Sequence, residues 1–240
     1  MPHSGCRAIE ACFNRRFAQS KKMTVGKSFV GYTIKNHLYE IQMLRRDIKK
    51  LKPKPVPKNL IWGLDLTGKS DSSGKVHNIL GIVEHHSRGC FCLMGLKDKA
   101  SITLLRCLLD SIEKYGKPKL IRTDNEAVFT SRLFCFGLKV LGIRHQKTDK
   151  GCPWMNGRIE RFFGTLKSRL NCWEVDNLAQ LNGALGEFKI WYNHVRPHQN
   201  LGGRTPAEVW QGIDIYTNKS KQEYWFEAWD GLLTGFYFRL

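Results

Sequence analysis

Between Leu60 and Leu96 three apolar runs are cut apart by short polar turns, and after Ser101 helix-period segments alternate with short strand-like ones. Few folds satisfy that order. Leu60 to Leu66 alternates, Gly68 to Gly74 is a polar turn rich in Ser, Asp and Gly, and His77–Glu84 and Gly89–Leu96 are two more strand-like runs. Residues 60–96 therefore read as a three-stranded antiparallel meander. Ser101 to Tyr115 carries the apolar spacing of an amphipathic helix. A short strand follows Pro118 at Lys119–Thr123, then a helix from about Ala127 to Leu141 and a brief strand at Ile143–Gln146. Beyond a loop at Asp149–Asn156 lie two long helices, Arg158–Leu170 and Leu178–Val195. Three hairpin-linked strands followed by alternating helix and strand make an α/β layer structure. No internal repeat is visible, and residues 211–240 read as a C-terminal tail.

Upstream the text changes character. Lys52-Pro53-Lys54-Pro55-Val56-Pro57-Lys58 breaks any helix and favours an extended linker. A domain boundary is expected there, separating a helical segment, 1–51, from a body at 59–210. From Met23 to Lys50 the pattern is helical: Thr24 can cap a helix containing Phe29, Val30 and Ile34, and Leu38, Ile41, Leu44 and Ile48 form a second stripe. Tandem basic helices are what a helix-turn-helix offers a major groove, and equally what any solvated helical pair looks like. Charge is concentrated here. Of 39 basic residues 14 fall in residues 1–58, against 3 of 21 acidic ones, within a net charge of +18. Such an excess favours a polyanionic partner, because each neutralised phosphate releases counterions.

Other classes are excluded by composition. The 8 cysteines form no CxxC pair and most sit in apolar runs, as in Leu105-Arg106-Cys107-Leu108, so buried reduced thiols are expected rather than a disulfide framework. His3, Cys6 and Cys12 lack a second ligand pair for zinc. No apolar stretch has the length of a membrane span and no signal-peptide pattern opens the chain, so a reducing, DNA-containing compartment is expected.

Three carboxylates stand out by their neighbours. Asp65 lies inside Ile61-Trp62-Gly63-Leu64-Asp65-Leu66-Thr67, where a charge loses hydration unless a cation compensates. Asp124 ends a strand in Leu120-Ile121-Arg122-Thr123-Asp124-Asn125, at the carboxyl edge where α/β sheets form ligand crevices. Glu160 opens a helix in Asn156-Gly157-Arg158-Ile159-Glu160-Arg161-Phe162-Phe163. Phosphodiester cleavage needs an activated attacking oxygen and a stabilised leaving oxygen. Two hard cations held by carboxylates supply both.

These segments resemble the DDE transposases and retroviral-type integrases, especially bacterial insertion-sequence transposases. The resemblance runs from about Asn59 to Trp210. Trp62 to Thr67 looks like the first-aspartate strand, Thr123-Asp124-Asn125-Glu126 with Phe129 like the second motif, and Cys152-Pro153-Trp154-Met155-Asn156-Gly157-Arg158-Ile159-Glu160 like the loop and helix bearing the glutamate. Tyr192-Asn193-His194-Val195-Arg196-Pro197-His198 through Leu201-Gly202, then Thr205-Pro206-Ala207-Glu208, resembles the closing signature. Met155 stands where the family usually has Gln. The resemblance implies a ribonuclease-H-like mixed sheet, with Asp65, Asp124 and Glu160 holding two Mg2+ or Mn2+. It also implies cleavage and joining of double-stranded DNA for a mobile element, a homo-oligomer assembled on that DNA, and the nucleoid of a bacterial cytoplasm as its place of action. Lys167, two helical turns after Glu160 and on its face, would contact phosphate near the metals or remain a solvated lysine. Asn125, Asn156, Arg158, Lys52 and Lys54 are further candidate DNA contacts.

Several features are decoys. Gly63-Leu64-Asp65-Leu66-Thr67-Gly68-Lys69-Ser70 spells a P-loop, but it begins inside a strand and leads to another strand rather than opening a helix. No Ser or Tyr has a recognisable nucleophile setting. Trp191 and Tyr192 are expected in the core rather than stacked on bases, and Arg196 and His198 at a structural corner. Two other readings fit the same residues: an inactive, DNA-binding derivative of a transposase, which the short N-terminal arm favours, and a ribonuclease-H-like metal nuclease.

Overall fold

The computed structural model describes residues 5–41, 55–148, 156–217 and 222–239, in two compact units, 1–54 and 55–240. In the first, α1 (Cys6–Phe17) packs on α2 (Lys27–Asn36). Asn14 ties the turn between them, donating Nδ2 to the Val25 carbonyl at 2.9 Å and accepting the Val25 amide at 2.7 Å. Apolar spacing does not reveal α1, whose moderately amphipathic face buries no residue fully, and the cap expected at Thr24 falls instead at Gly26. Leu44, Ile48 and the linker lysines Lys52 and Lys54 lie outside the described residues.

The second unit is built on a five-stranded sheet in the order β3-β2-β1-β4-β5, from β1 (Ile61–Ser70), β2 (Val76–Glu84), β3 (Cys90–Leu96), β4 (Leu120–Thr123) and β5 (Arg144–Lys147). The first three run antiparallel, and β4 and β5 join parallel to β1, as the run of hairpins followed by crossovers predicts. β1 outlasts the expected strand by four residues, because Thr67, Gly68, Lys69 and Ser70 continue the ladder with Ile79, Asn78, His77 and Val76.

Helices cover both faces. On one side α3 (Ser101–Tyr115), α4 (Ala127–Thr130) and α5 (Arg132–Val140) close a core around Trp62, Leu64, Leu80, Ile82, Ile121 and Phe134. The helix expected over 127–141 is broken at Ser131, whose extended backbone stops α4 and whose hydroxyl caps α5 by accepting the Phe134 amide. On the other side lie α6 (Gly157–Leu170) and α7 (Leu178–Ile190), with Ile159, Phe162, Phe163, Leu181, Leu185 and Phe188 packed on Ile79, Val83 and Leu93. The expected 178–195 helix widens into a π-helical turn at Trp191–Val195, and α8 (Pro206–Gln211) follows with a capping box between Thr205 and Glu208.

Residues 211–240 are more than a tail. Strands β6 (Gln222–Ala228) and β7 (Leu233–Arg239) form a hairpin whose Trp229 and Leu233 are buried in the α6–α7 core. Among the described residues no helix is long and apolar enough to cross a membrane.

Candidate active site

Asp65 belongs to the face of β1 that carries Gly63 and Thr67, since side chains alternate along a strand. That face looks toward α6. A side chain at Gly63 would stand 3.7 Å from Ile159 Cβ, and across the ladder Asp65 pairs with Gly81, where a Cβ would lie 2.8 Å from the ring of Phe163. Gly81 thus lets α6 lie close against the sheet at the level of Asp65, whereas at Gly63 the space is taken by His85, whose Nε2 lies 3.0 Å from where a Cβ would stand.

The parallel register brings in the second carboxylate. Ile61, Trp62 and Gly63 pair with Leu120, Ile121 and Arg122. Carried two residues further, the same register sets Asp65 beside Asp124, on one face of strands about 4.8 Å apart. Glu160 enters from above, exposed on the first turn of α6, where a carboxylate also suits the helix dipole. Electrostatics report the same grouping. Burial pushes the Asp65 carboxyl up to about 6 against the pull of its hydrogen bond from the Leu66 amide, and the charges of Asp124, Glu126 and Glu160 push the same way. Asp124 is raised too, chiefly by burial, while the Glu126 amide holds its Oδ1 at 3.0 Å. Glu126, part of the second motif but given no role by its sequence context, is a fourth carboxylate here and pairs with Lys99 at 2.8 Å.

A partly dehydrated cluster of negative charge suits hard cations, and carboxylates are the right donors for them. Asp65, Asp124 and Glu160 are the residues that could hold one. Two buried oxygens nearby, Thr67 Oγ1 and Asn156 Oδ1, have no partner among the described residues. Among those residues no three Asp, Glu, His or Cys side chains are closed around a common point, and Glu160 is exposed.

Lys167 is exposed on α6, and Asn125 donates Nδ2 to the Thr148 carbonyl at 2.7 Å. Asn156 is buried at the mouth of α6. Arg158 turns inward, its Nη1 donating to the His85 carbonyl at 2.7 Å. Cys152 to Met155 lie outside the described residues. His85 is a residue that sequence reasoning does not find: it is 3 % exposed, its Nε2 is unpartnered, and burial with the charges of Arg158, Arg122 and Arg88 drives its pKa down to about 2, which keeps the ring neutral. Its only sequence signal is a polar pair, His85-His86, ending an apolar strand.

Known proteins resemble this chain in sequence and in fold. The integrase core domain family matches residues 141–206. An uncharacterized 39.2 kDa protein of insertion element IS476 from Xanthomonas euvesicatoria is 28 % identical over 151 residues, 62 % of this chain and 44 % of that protein. InsK, named as a transposase for insertion sequence element IS150 of Escherichia coli (strain K12), is 27 % identical over 172 residues, 69 % of this chain and 58 % of its own length. The chain thus spans about half the length of these relatives. Among solved structures, the HTLV-2 integrase catalytic core domain in complex with magnesium superposes with a TM-score of 0.53 at 22 % identity, covering 65 % of this chain and 99 % of that one. A chain of the simian T-cell lymphotropic virus intasome gives 0.59 at 21 % identity, covering 74 % and 66 %. In sequence the chain is similar to proteins of bacterial insertion elements, in fold it is similar to retroviral integrase cores, and its residues 141–206 match the integrase core domain family.

Proposed function

We propose that this chain cleaves and joins DNA strands for a mobile element. The observation that carries this reading is the juxtaposition of Asp65 and Asp124 on one sheet face with Glu160 on the helix covering it, close enough for their charges to raise Asp65. Asp65, Asp124 and Glu160 would hold one or two Mg2+ or Mn2+ ions, which when bound supply Lewis-acid activation of the attacking oxygen and charge stabilisation of the leaving one. The chain's own residues do the rest. The apolar flanks of Asp65 limit water at the reacting phosphate, which strengthens every charge interaction there. Lys167, on the Glu160 face of α6, holds a phosphate oxygen, and Asn125 positions the backbone beside Asp124. Hydrolysis of one phosphodiester frees a 3′-hydroxyl; that hydroxyl loses its proton and attacks a second phosphodiester in the target duplex, forming a new P–O bond as the target strand's own P–O3′ bond breaks and its 3′-oxygen leaves as a hydroxyl. Joining two ends requires a multimer on DNA, with the basic helices and Lys52 and Lys54 as a gripping arm.

The test is incubation of the full chain with Mn2+ and duplexes taken from either side of its gene. Joined products are expected. Asp65→Asn, Asp124→Asn and Glu160→Gln should each lower product by more than about a hundredfold, the loss that removal of even an outer partner of a metal ligand can cause, while duplex binding persists. Full activity in Asp65→Asn would refute the assignment. Binding by the unaltered chain without any metal-dependent product would show an inactive derivative, and cleavage confined to the RNA strand of a hybrid would show a nuclease.

A further inference from the structure

The residue before Asp124, Thr123, is fully buried. Side chains alternate along β4, so Thr123 lies with Ile121 on the α3–α5 side of the sheet, behind the carboxylates. His145 of β5 stands beside Ile121 in the parallel register and shares that face, its ring set T-shaped against Phe134 with centres 5.8 Å apart. Thr123 Oγ1 lies 2.8 Å from the Asp124 carbonyl oxygen and 2.9 Å from His145 Nε2. One arrangement of hydrogens satisfies both contacts. The carbonyl can only accept, so the hydroxyl donates to it, and Nε2–H donates to the hydroxyl oxygen. Burial, with the Lys147 charge, holds His145 below its ordinary pKa, so at neutral pH the ring is neutral and Nδ1 carries no hydrogen; it faces Cys135 Sγ of α5 at 3.9 Å.

Among the described residues the ladder stops short of Asp124. Pairing of β4 with β1 ends at Gly63–Arg122 and with β5 at Thr123–Lys147, so Asp124 stands one residue beyond the last rung. There its Oδ1 accepts the Glu126 amide at 3.0 Å, and its carbonyl takes the Thr123 hydroxyl. We propose that Thr123 and His145 are positioning residues for Asp124: from behind the sheet they fix the backbone from which its carboxylate projects, and so set how tightly the carboxylate cluster holds a divalent cation. The inference rests on the reading above in taking Asp124 as a metal ligand. Neither side chain meets cation or DNA; both act through the Asp124 peptide. An outer partner that orients a metal ligand is worth about ten- to a hundredfold in metal affinity, and a hold exerted through the backbone belongs at the lower end.

The experiment is a Mn2+ titration of the full chain, read from the electron paramagnetic resonance signal of free Mn2+ at a temperature where circular dichroism shows each variant folded. Thr123→Val should weaken Mn2+ binding about tenfold, while Thr123→Ser, which keeps the hydroxyl, should stay within about twofold of the parent. His145→Leu should repeat the loss, and His145→Gln, whose amide can still donate to Thr123, should restore most of the affinity. That second contrast decides the matter if Thr123→Val does not fold. With labelled histidine nitrogens, and neither metal nor DNA present, His145 should show the neutral Nε2–H tautomer at neutral pH. An Nδ1–H tautomer, or parental Mn2+ affinity in Thr123→Val and His145→Leu, overturns the inference. A loss of equal size in Thr123→Ser shows packing alone and overturns it too. Asp124→Asn separates the inference from the reading beneath it. If that change abolishes Mn2+ binding and Thr123→Val does not weaken it, the inference alone fails; if Asp124→Asn leaves Mn2+ binding intact, the metal reading fails and takes the inference with it.

Discussion

Gly81 has no side chain, and the ring of Phe163 occupies the place where one would stand. Gly81→Ala should therefore cost about 1 to 3 kcal/mol, the usual penalty of overpacking, and should weaken any carboxylate-dependent activity by lifting α6 from Asp65. A urea denaturation series tests it, and Phe163→Leu added to Gly81→Ala should recover part of the loss. A Gly81→Ala midpoint equal to that of the parent would show that α6 does not depend on this packing. Asp65 is legible in the text because an acid between Leu64 and Leu66 breaks the chemistry of its strand. Gly81 and His85 are not, since what distinguishes them is a neighbour some eighty residues away in one case and an unpartnered ring nitrogen in the other. One sequence cannot register such cross-chain fits.

At the scale of the element, the β1–β2 turn shows how an ordinary polar loop becomes a clamp. Asp71 accepts the amides of Ser73 and Lys75 at 3.0 Å, the Ser73 hydroxyl at 2.6 Å and His77 Nε2 at 2.8 Å. The turn is then fastened to the far end of α6: Lys69 donates to the Leu170 carbonyl and the Ser72 amide to that of Val175. The Ser73 hydroxyl first, and His77 second, hold the Asp71 carboxyl down at about 2. A folded-state pKa below the ordinary 3.8 means stability that is present above that value and is lost as pH falls through about 2. Asp71→Asn should therefore melt below the parent at pH 7, and the gap should close between about pH 4 and pH 2. A gap independent of pH would remove the charge from the account. Elements with a strong period, such as α3 and β1 to β3, are readable from spacing alone. The break at Ser131 and the wide turn at Trp191–Val195 are not, because both keep a helix-like spacing of apolar residues and differ only in backbone path.

For the molecule as a whole, the C-terminal hairpin completes the core rather than trailing from it. Trp229 is 3 % exposed and stacks with Trp173 and Phe188. Trp229→Ala should cost about 3 to 5 kcal/mol, measured as a shift in the thermal midpoint. A shift near zero would mean that α6 and α7 hold together without the hairpin. The signal is in the sequence, where Asp230-Gly231 separates two aromatic-rich runs and marks a hairpin turn, but without a visible partner for those aromatics the segment reads as a tail.

The outermost strand carries a different arrangement. β3 borders the sheet, yet its outer rim is taken: Asn193 bonds both the amide and the carbonyl of Cys90, Lys189 the carbonyl of Phe91, and Asn182 both backbone groups of Gly95. Side chains of α7 and the turn after it act there as a sixth strand made of amides and an ammonium. A neighbouring strand would find the backbone groups of Cys90 and Gly95 and the carbonyl of Phe91 already taken, which closes this border to ladder extension at those rungs.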